Sequence, residues 1–226
     1  MDRYDVIVIG AGPGGYVAAI RAAQLGAKTV VVEREEVGGV CLNWGCIPTK
    51  TLIYTGEIYR KLKKAGEMGI KVDGFSLDLP ALLRKKNAVI RRNKNGILSL
   101  FKSHGIELIQ GEAKVAGLGC VRVNDKTLLT KSIIVATGSS PAVIKGLETD
   151  GKRVITSTEA LELSELPRKA LVIGAGPIGA EFACLWNAFG VEIILVEMLP
   201  RVLPFADEEL SRMLRDIMQK RGIEVR

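Results

Sequence analysis

Histidine is almost missing from this chain: its 226 residues hold one, His104, in Phe101-Lys102-Ser103-His104-Gly105, with no Cys or His beside it. A zinc centre needs several such ligands at close spacing, so no metal site is expected. Aromatic residues make up 5% of the chain, too few for a surface that stacks nucleic-acid bases. Four cysteines do not make a disulfide framework at this length. Long apolar runs are lacking too. The stretch Val6–Ile20 is broken by four glycines and a proline and follows Asp2, Arg3 and Asp5, so it reads neither as a signal peptide nor as a membrane span. The expectation is a soluble, cytoplasmic protein that binds neither nucleic acid nor membrane.

The length allows one or two domains with a sizeable core. The hydrophobic share of 47% is ordinary, and the net charge is +7. Basic residues are dispersed apart from Lys61-Leu62-Lys63-Lys64 and the stretch Arg84 to Lys102, which read as solvated helix faces. A basic balance also suits anionic dinucleotides.

One pattern occurs twice, 164 positions apart. Val6-Ile7-Val8-Ile9 leads into Gly10-Ala11-Gly12-Pro13-Gly14-Gly15, and Ala170-Leu171-Val172-Ile173 leads into Gly174-Ala175-Gly176-Pro177-Ile178-Gly179. Each copy has an apolar strand, a glycine-rich turn, an Ala-rich helix, a glycine (Gly26, Gly190), a β-branched strand, and an acid (Glu33, Glu197) 23 residues past the first glycine. In such a turn the first glycine permits the bend, the second lets backbone approach a pyrophosphate, and the third lets helix pack on strand. Free amides at the helix start favour phosphate. A carboxylate ending the second strand suits two ribose hydroxyls and repels a 2′-phosphate, so Glu197 favours NAD over NADP. Two dinucleotides are expected, one flavin and one nicotinamide.

The fold class is α/β: two Rossmann-like dinucleotide-binding units of the FAD/NAD(P)-binding ββα three-layer-sandwich type, the second truncated. Helices are expected over about 45–66, 78–103 with an interruption near Asn95-Gly96, 177–190 and 206–221. Short strands of a small antiparallel element are expected from Glu107 to Leu129, then a buried strand over Ser132 to Ala136. Residues 1–148 are assigned to a flavin-binding domain and 149–226 to the start of a nicotinamide-binding domain. A sheet that stops as its third strand begins, at Ile223 to Arg226, reads as a fragment, or a much shortened relative, of a longer enzyme.

Between the repeats lies Cys41-Leu42-Asn43-Trp44-Gly45-Cys46. A zinc knuckle or two unrelated buried cysteines are the competing readings. Flanking glycines (Gly38, Gly39, Gly45) and a helix starting beside the pair favour a redox couple. Lys50 follows Cys46 by one helical turn, where an ammonium can stabilise a thiolate or a reduced flavin; otherwise it is a solvated lysine. Glu181, flanked by Ala180, Phe182, Ala183 and Cys184, is expected on a packed helix face and in need of a partner, for which Lys50 is the candidate. Cys120, Cys184 and His104 read as ordinary residues.

With these residues assembled, the chain resembles the dihydrolipoamide dehydrogenases of the pyridine nucleotide–disulfide oxidoreductase family, from Tyr4 to Arg226. The specific matches are Gly38-Gly39-Val40-Cys41-Leu42-Asn43-Trp44-Gly45-Cys46-Ile47-Pro48-Thr49-Lys50, Ala136-Thr137-Gly138-Ser139, and Gly174 through Glu181. The resemblance implies that Cys41 exchanges with the substrate disulfide, that Cys46 faces the flavin, and that Lys50 and Glu181 pair beside the flavin ring. It implies FAD contacts from Gly10, Gly12, Pro13, Gly14, Gly15, Glu33, Arg34, Gly38, Gly39, Val40, Cys41, Ala113 at the adenine, and Thr137 with Gly138. It implies NAD contacts from Gly174, Gly176, Pro177, Ile178, Gly179, Glu181 and Glu197.

The implied reaction is oxidation of dihydrolipoamide, borne by an acyltransferase or lipoyl carrier protein, with reduction of NAD in a homodimer. Val40 stands where the family often has threonine, and Trp44 where it has a small aliphatic residue. The family's later Gly-Asp motif, dimer domain and His–Glu base do not occur in these 226 residues, and His104 does not match that base. Residues 1–226 alone are therefore expected not to turn over dihydrolipoamide. Within enzymes, a glutathione-type or mercuric reductase or an NADH oxidase is the alternative, and outside them a non-catalytic flavin-binding module. Glu197 argues against NADP-using reductases, and Lys50 with the Cys-x4-Cys pair against single-cysteine oxidases.

Overall fold

Strand β1 (Asp2–Ile9) runs down the middle of a six-stranded sheet, because its apolar residues alternate onto two faces that are both covered. The structure, a computed structural model, describes residues 2–142 and 144–226; Met1 and Val143, inside the expected first domain, lie outside them. The chain forms two compact units, one comprising residues up to Pro48 with Asn87–Leu147, the other Thr49–Lys86 with Glu148–Arg226. Residues 49–86, expected with the first domain, instead cluster with the second unit.

In the first unit the sheet order is β3-β2-β1-β6-β5-β4. β3 (Glu107–Gln110), β2 (Thr29–Glu33), β1 and β6 (Lys126–Val135) run parallel to one another, while β4 (Ala113–Gly117) and β5 (Cys120–Val123) form an antiparallel hairpin whose β5 also pairs antiparallel with β6. Val8 and Val31 face a layer made by helix α1 (Pro13–Gln24), through Ala19, and helix α4 (Leu79–Ser103), through Ile97 and Phe101. Ile7, Ile9, Val30 and Val32 face the opposite way, onto Val121 and Val123 of the hairpin and Leu128 of β6. That is a helix–sheet–sheet sandwich. Each fully buried valine or isoleucine contributes ~1.5–3 kcal/mol of apolar burial, which holds the end of β1 rigid where its glycine turn begins.

Two expectations for this unit are corrected. β3 is not part of the antiparallel element; it pairs parallel with β2, Val31 opposite Leu108. The strand expected at 132–136 is the second half of the ten-residue β6, and Val135 is exposed rather than buried. β6 changes partners along its length, β5 pairing with residues 126–129 and β1 with residues 128–135, so the polar Lys131-Ser132 step does not end it.

In the second unit, β7 (Lys169–Ile173), β8 (Glu192–Val196) and β9 (Glu224–Val225) form a parallel sheet. Helix α6 (Pro177–Ala188) buries Ala180, Phe182, Ala183, Leu185 and Trp186 in the core, with Ile193 and Leu195 of β8 and Met218 of helix α7 (Glu208–Lys220). Helix α3 (Cys46–Lys63) adds Leu52 to this core, and the start of α4 adds Leu82. A Cβ on Gly56 of α3 would meet Ala188 Cβ at 3.3 Å, so the two helices approach closely there. This packing draws residues 49–86 into the second unit.

The two parallel pairs share one register. Ile9 lies opposite Val32 in the first and Ile173 opposite Val196 in the second, and both repeat positions are again 164 apart. α4 runs unbroken through Asn95-Gly96, against the expected interruption. Gly96 costs ~1 kcal/mol of helix propensity, less than burial of the following Ile97 and Phe101 returns. α3 ends at Lys63, before a 3-10 turn at Ala65–Met68. Two further helices have no counterpart in the sequence reading: α2 (Gly39–Asn43) and α5 (Ser157–Ala160), the latter closed by a Thr156–Glu159 capping box.

Candidate active site

The first glycine turn is locked from within. Gly10 takes φ +101°, its N–H donates to Val32 O at 2.7 Å, and a Cβ there would meet Ala136 O at 2.2 Å. A Cβ on Gly15 would lie 1.8 Å from Gly10 O, so only glycine lets α1 start against β1. Gly12 and Gly14 are different. Gly12 has an ordinary φ of −70°, and a Cβ on either glycine would meet nothing nearer than 3.7 Å. No side chain caps α1, and Pro13 opens it.

Glu33, buried at the end of β2, accepts from Ala11 N at 2.6 Å and from Glu35 N at 2.8 Å. It therefore ties the strand end to the turn. Arg34 beside it is exposed and pairs with Glu35 at 3.3 Å.

The cysteine loop is built onto this turn. Gly38 N donates to Ala11 O at 2.8 Å, and a Cβ on Gly39 would meet Gly12 Cα at 2.7 Å. Gly38 and Gly39 both have positive φ, +100° and +58°. They turn the chain into α2, which carries Val40, Cys41 and the buried Leu42. The Asn43 side-chain amide donates to Val37 O (3.1 Å) and Gly39 O (2.9 Å). A Cβ on Gly45 would meet Cys41 Cα at 3.3 Å, so the chain doubles back on Cys41 before Cys46 opens α3, exposed.

Thr137 and Gly138 follow β6 and adjoin the same turn, the Thr137 Cα lying 3.4 Å from a Cβ on Gly10. Ala113 starts β4, just beyond Gly111, whose N–H donates to Glu33 O at 2.9 Å. The first unit thus gathers Gly10–Gly15, Glu33, Gly38–Cys41, Thr137 and Gly138 around one strand end.

The second turn repeats the first at atomic level. Gly174 takes φ +97°, its N–H donates to Val196 O at 2.8 Å, and a Cβ on Gly179 would sit 1.8 Å from Gly174 O. Gly176 has φ −67°, Pro177 opens α6 without a side-chain cap, and Ile178 is exposed. A Cβ on Gly176 would meet nothing within 4 Å. Glu197 accepts from Ala175 N at 2.7 Å and Leu199 N at 3.0 Å, and these amides, Leu199 first, hold its carboxyl below the usual carboxylate range.

Lys50 donates to both carboxylate oxygens of Glu181, at 2.6 and 2.8 Å. Glu181 is half-buried rather than buried: its side chain is 33% exposed and that of Lys50 58%. Ile178, three residues earlier on the same side of α6, is exposed as well. Apolar neighbours at adjacent positions do not bury a helical residue, because they point elsewhere.

The residues fit dinucleotides. Gly12 and Gly176 are required neither by φ nor by close protein packing, and each lies at an uncapped helix start beside a strand-end carboxylate. That combination leaves room for, and donors to, a pyrophosphate. Among the described residues no cluster of His, Cys, Asp and Glu is arranged to hold a metal ion, and no helix is long and apolar enough to cross a membrane.

Cys120 starts β5 in the first unit. Cys184 is half-buried in α6, where burial pushes its thiol pKa up against the opposing pull of Arg221 and Arg60. The His104 ring bonds to Ser103 Oγ and to Leu100 O, one turn back. Two features escaped the sequence: the amide latch under Glu33 and Glu197, and the bracket made by Asn43. The signal for the second was an amide side chain between the cysteines, ahead of a glycine.

Residues 4–226 match the family described as pyridine nucleotide-disulphide oxidoreductase. The chain is 41% identical to dihydrolipoyl dehydrogenase of Bacillus subtilis over 235 residues, covering 98% of this chain and 50% of that protein. It is 44% identical to the dihydrolipoyl dehydrogenase of Thermus scotoductus over 227 residues, covering 100% of this chain and 49% of the relative. The chain thus spans about half the length of the curated relatives it matches. Among solved structures, the copper(II) complex of the HOCl-induced flavoprotein disulfide reductase RclA from Escherichia coli superposes with a TM-score of 0.84 at 26% identity, over 100% of this chain and 49% of that one. Glycine turns, strand-end acids and cysteine loop agree with the match along the whole sequence, and the chain belongs to the pyridine nucleotide-disulphide oxidoreductase family.

Proposed function

We propose that this chain is the flavin-binding and nicotinamide-binding part of a dihydrolipoamide dehydrogenase. The observation that carries the reading is the attachment of the Cys41–Cys46 loop to the first glycine turn, through Gly38 N to Ala11 O at 2.8 Å and the contact of Gly39 with Gly12. A dinucleotide held by that turn has the cysteine pair built into the same wall.

In the proposed reaction a dihydrolipoamide thiolate attacks Cys41 Sγ of a Cys41–Cys46 disulfide. The S–S bond breaks, and Cys46 leaves as thiolate. The second substrate thiol attacks its own sulfur in the mixed disulfide, releasing lipoamide and the Cys41 thiol. The protein gains two electrons and the substrate loses two. FAD, which Gly10–Gly15, Glu33 and the Gly38–Cys41 segment would hold, would supply the two-electron chemistry that links the dithiol to NAD.

The chain's own residues do the rest. Gly12 and Gly176 with the uncapped starts of α1 and α6 bind pyrophosphate, helped by the Gly10, Gly14, Gly15, Gly174 and Gly179 turn geometry. Glu33 and Glu197 take the riboses, which supports NAD over its 2′-phosphate. Lys50, paired with Glu181 within the second unit, would supply the positive charge that the family resemblance assigns to it. Dihydrolipoamide on a lipoyl carrier or acyltransferase as partner, a homodimeric holoenzyme and a cytoplasmic site belong to the same proposal. Relatives at 41–44% identity named dihydrolipoyl dehydrogenase support this substrate over other disulfides.

The test counts thiols. The purified chain, oxidised and then treated with dihydrolipoamide, is expected to gain two alkylatable thiols, at Cys41 and Cys46, and Cys41→Ser should abolish the gain. A flavin-free protein whose Cys41 and Cys46 do not respond to dihydrolipoamide would overturn the proposal.

A further inference from the structure

Helix α2 has five residues, too few to hold itself in water. It is entered through two consecutive left-handed glycines, and its Leu42 N–Gly38 O bond is long, at 3.4 Å. Yet Cys41 sits in its middle. What closes this turn is a side chain: Asn43 Nδ2 donates one hydrogen to Val37 O at 3.1 Å and the other to Gly39 O at 2.9 Å. The two bonds span residues 37 to 43, a bracket around Cys41. On its far side, Trp44 N donates to Val40 O at 2.8 Å, and Gly45 brings the chain back over Cys41 Cα. The near end of the bracket is the Gly38–Gly39 step that rests on Ala11 and Gly12.

We propose that Asn43 is the positioning residue of the dithiol couple, its amide fixing the Cys41 helix against the Gly38–Gly39 step, the arrangement on which closure with Cys46 depends. This rests on the redox reading of the pair given above and names the residue that sets its equilibrium. The chemistry selects a carboxamide. Two backbone carbonyls need two N–H donors from one short side chain. Aspartate has the same shape and no donor, and serine has one donor. Loosening the bracket lowers the effective concentration of the Cys46 thiol at Cys41. The balanced reaction of protein disulfide plus two glutathione thiols, giving protein dithiol plus glutathione disulfide, then shifts to the right.

The experiment equilibrates the purified chain with glutathione buffers, quenches with acid, alkylates, and reads the mass of the peptide carrying both cysteines. Asn43→Asp is expected to favour the dithiol about tenfold, a midpoint rise of ~30 mV for this two-electron couple. Asn43→Ser should fall between Asn43→Asp and wild type. Melting temperature is measured alongside, because a purely structural role lowers it and leaves the midpoint where it was. Wild-type midpoints in both folded variants overturn the proposal, and if Asn43→Asp does not fold, Asn43→Ser alone decides it. A wild-type chain whose cysteines never close on each other defeats the redox reading itself, and the bracket with it, before any variant is compared.

Discussion

The glycines of the two turns divide into those the fold needs and those it does not, and the division can be measured one methyl group at a time. In Gly15→Ala or Gly179→Ala the new Cβ falls 1.8 Å from a backbone oxygen, that of Gly10 or Gly174. No rotamer relieves a backbone overlap, so strand end and helix start must separate. Overpacking of this kind costs ~3 kcal/mol or more, and for a chain of this size ~1 kcal/mol moves the melting temperature ~2–4 °C. A loss of ~6–12 °C is expected for the affected unit.

In Gly12→Ala or Gly176→Ala the Cβ has room: the nearest atom to the first is Gly39 Cα at 3.7 Å, and the second meets nothing within 4 Å. Their φ values, −70° and −67°, suit alanine. The poorer N-cap costs ~0.5–1 kcal/mol, and the stiffer unfolded chain returns ~0.4–1 kcal/mol. Stability should therefore hold within ~1 kcal/mol, while the methyl occupies the space assigned to pyrophosphate. Flavin content should fall at least tenfold in Gly12→Ala, and NADH affinity likewise in Gly176→Ala. The assay is thermal unfolding by circular dichroism with flavin absorbance and NADH titration, each variant compared within its own unit because two units need not unfold together. Equal melting temperatures for Gly179→Ala and wild type, or undiminished NADH binding by Gly176→Ala, would refute the reasoning.

Lys50 and Glu181 are exposed enough that a double-mutant cycle with Lys50→Met and Glu181→Gln should give a coupling below ~1 kcal/mol in stability. The rate at which NADH bleaches the flavin of loaded chain should still drop about tenfold or more, and a large coupling with an unchanged rate would reverse the assignment. Tyr4 is buried and donates to Glu107 at 2.5 Å, so burial first and the carboxylate second push its phenol above the ordinary value. A raised pKa stabilises the fold fully below ~pH 10 and loses that contribution as pH climbs towards the folded value. Absorbance titration at alkaline pH should show one late tyrosine, absent in Tyr4→Phe; four tyrosines ionising together would exclude this. Lys86, fully buried, donates to Leu161 O at 2.8 Å and pairs with Glu162. Lys86→Met should destabilise the second unit by ~1–3 kcal/mol, because the Leu161 carbonyl loses its donor while half-exposed Glu162 returns to water. Urea unfolding checks it, and a stabilised variant would show the amine to be dispensable.

What the sequence disclosed were features carried by covalent constraint. A glycine needed at positive φ, a proline opening a helix and an acid at fixed distance are each written in one letter, so both turns and their common register were legible. What it concealed depended on direction and partner. Glu181 looked buried because its immediate neighbours are apolar, but a helix turns ~100° per residue and the telling neighbour was the exposed Ile178. The Asn95-Gly96 step looked like a break because local propensity was read without the core that Ile97 and Phe101 enter. β6 looked like two strands because its polar middle was read without β1, which pairs across it. The Asn43 bracket was invisible because its acceptors are backbone oxygens, present at every position and oriented only once the Gly38–Gly39 step has folded.

The two turns are alike in construction and unlike in surroundings. Backbone bonds, strand register, opening proline and acid latch are the same in both, so the repeat is one device used twice. The surroundings differ. At the first turn the Gly38–Gly39 step lies against Gly12, and the loop that does so continues into the cysteine pair. At the second, no atom of the described residues lies within 4 Å of a Cβ on Gly176, and Ile178 beside it is exposed. A group walled in by a loop exchanges slowly, since the loop must move first; a group on an open turn exchanges at the rate of its own contacts. A resident cofactor needs the first property and a co-substrate that leaves after each turnover needs the second. Under the proposed assignment of flavin to Gly12 and nicotinamide to Gly176, each turn has the surroundings its ligand requires, and the reverse assignment would trap the carrier and release the cofactor.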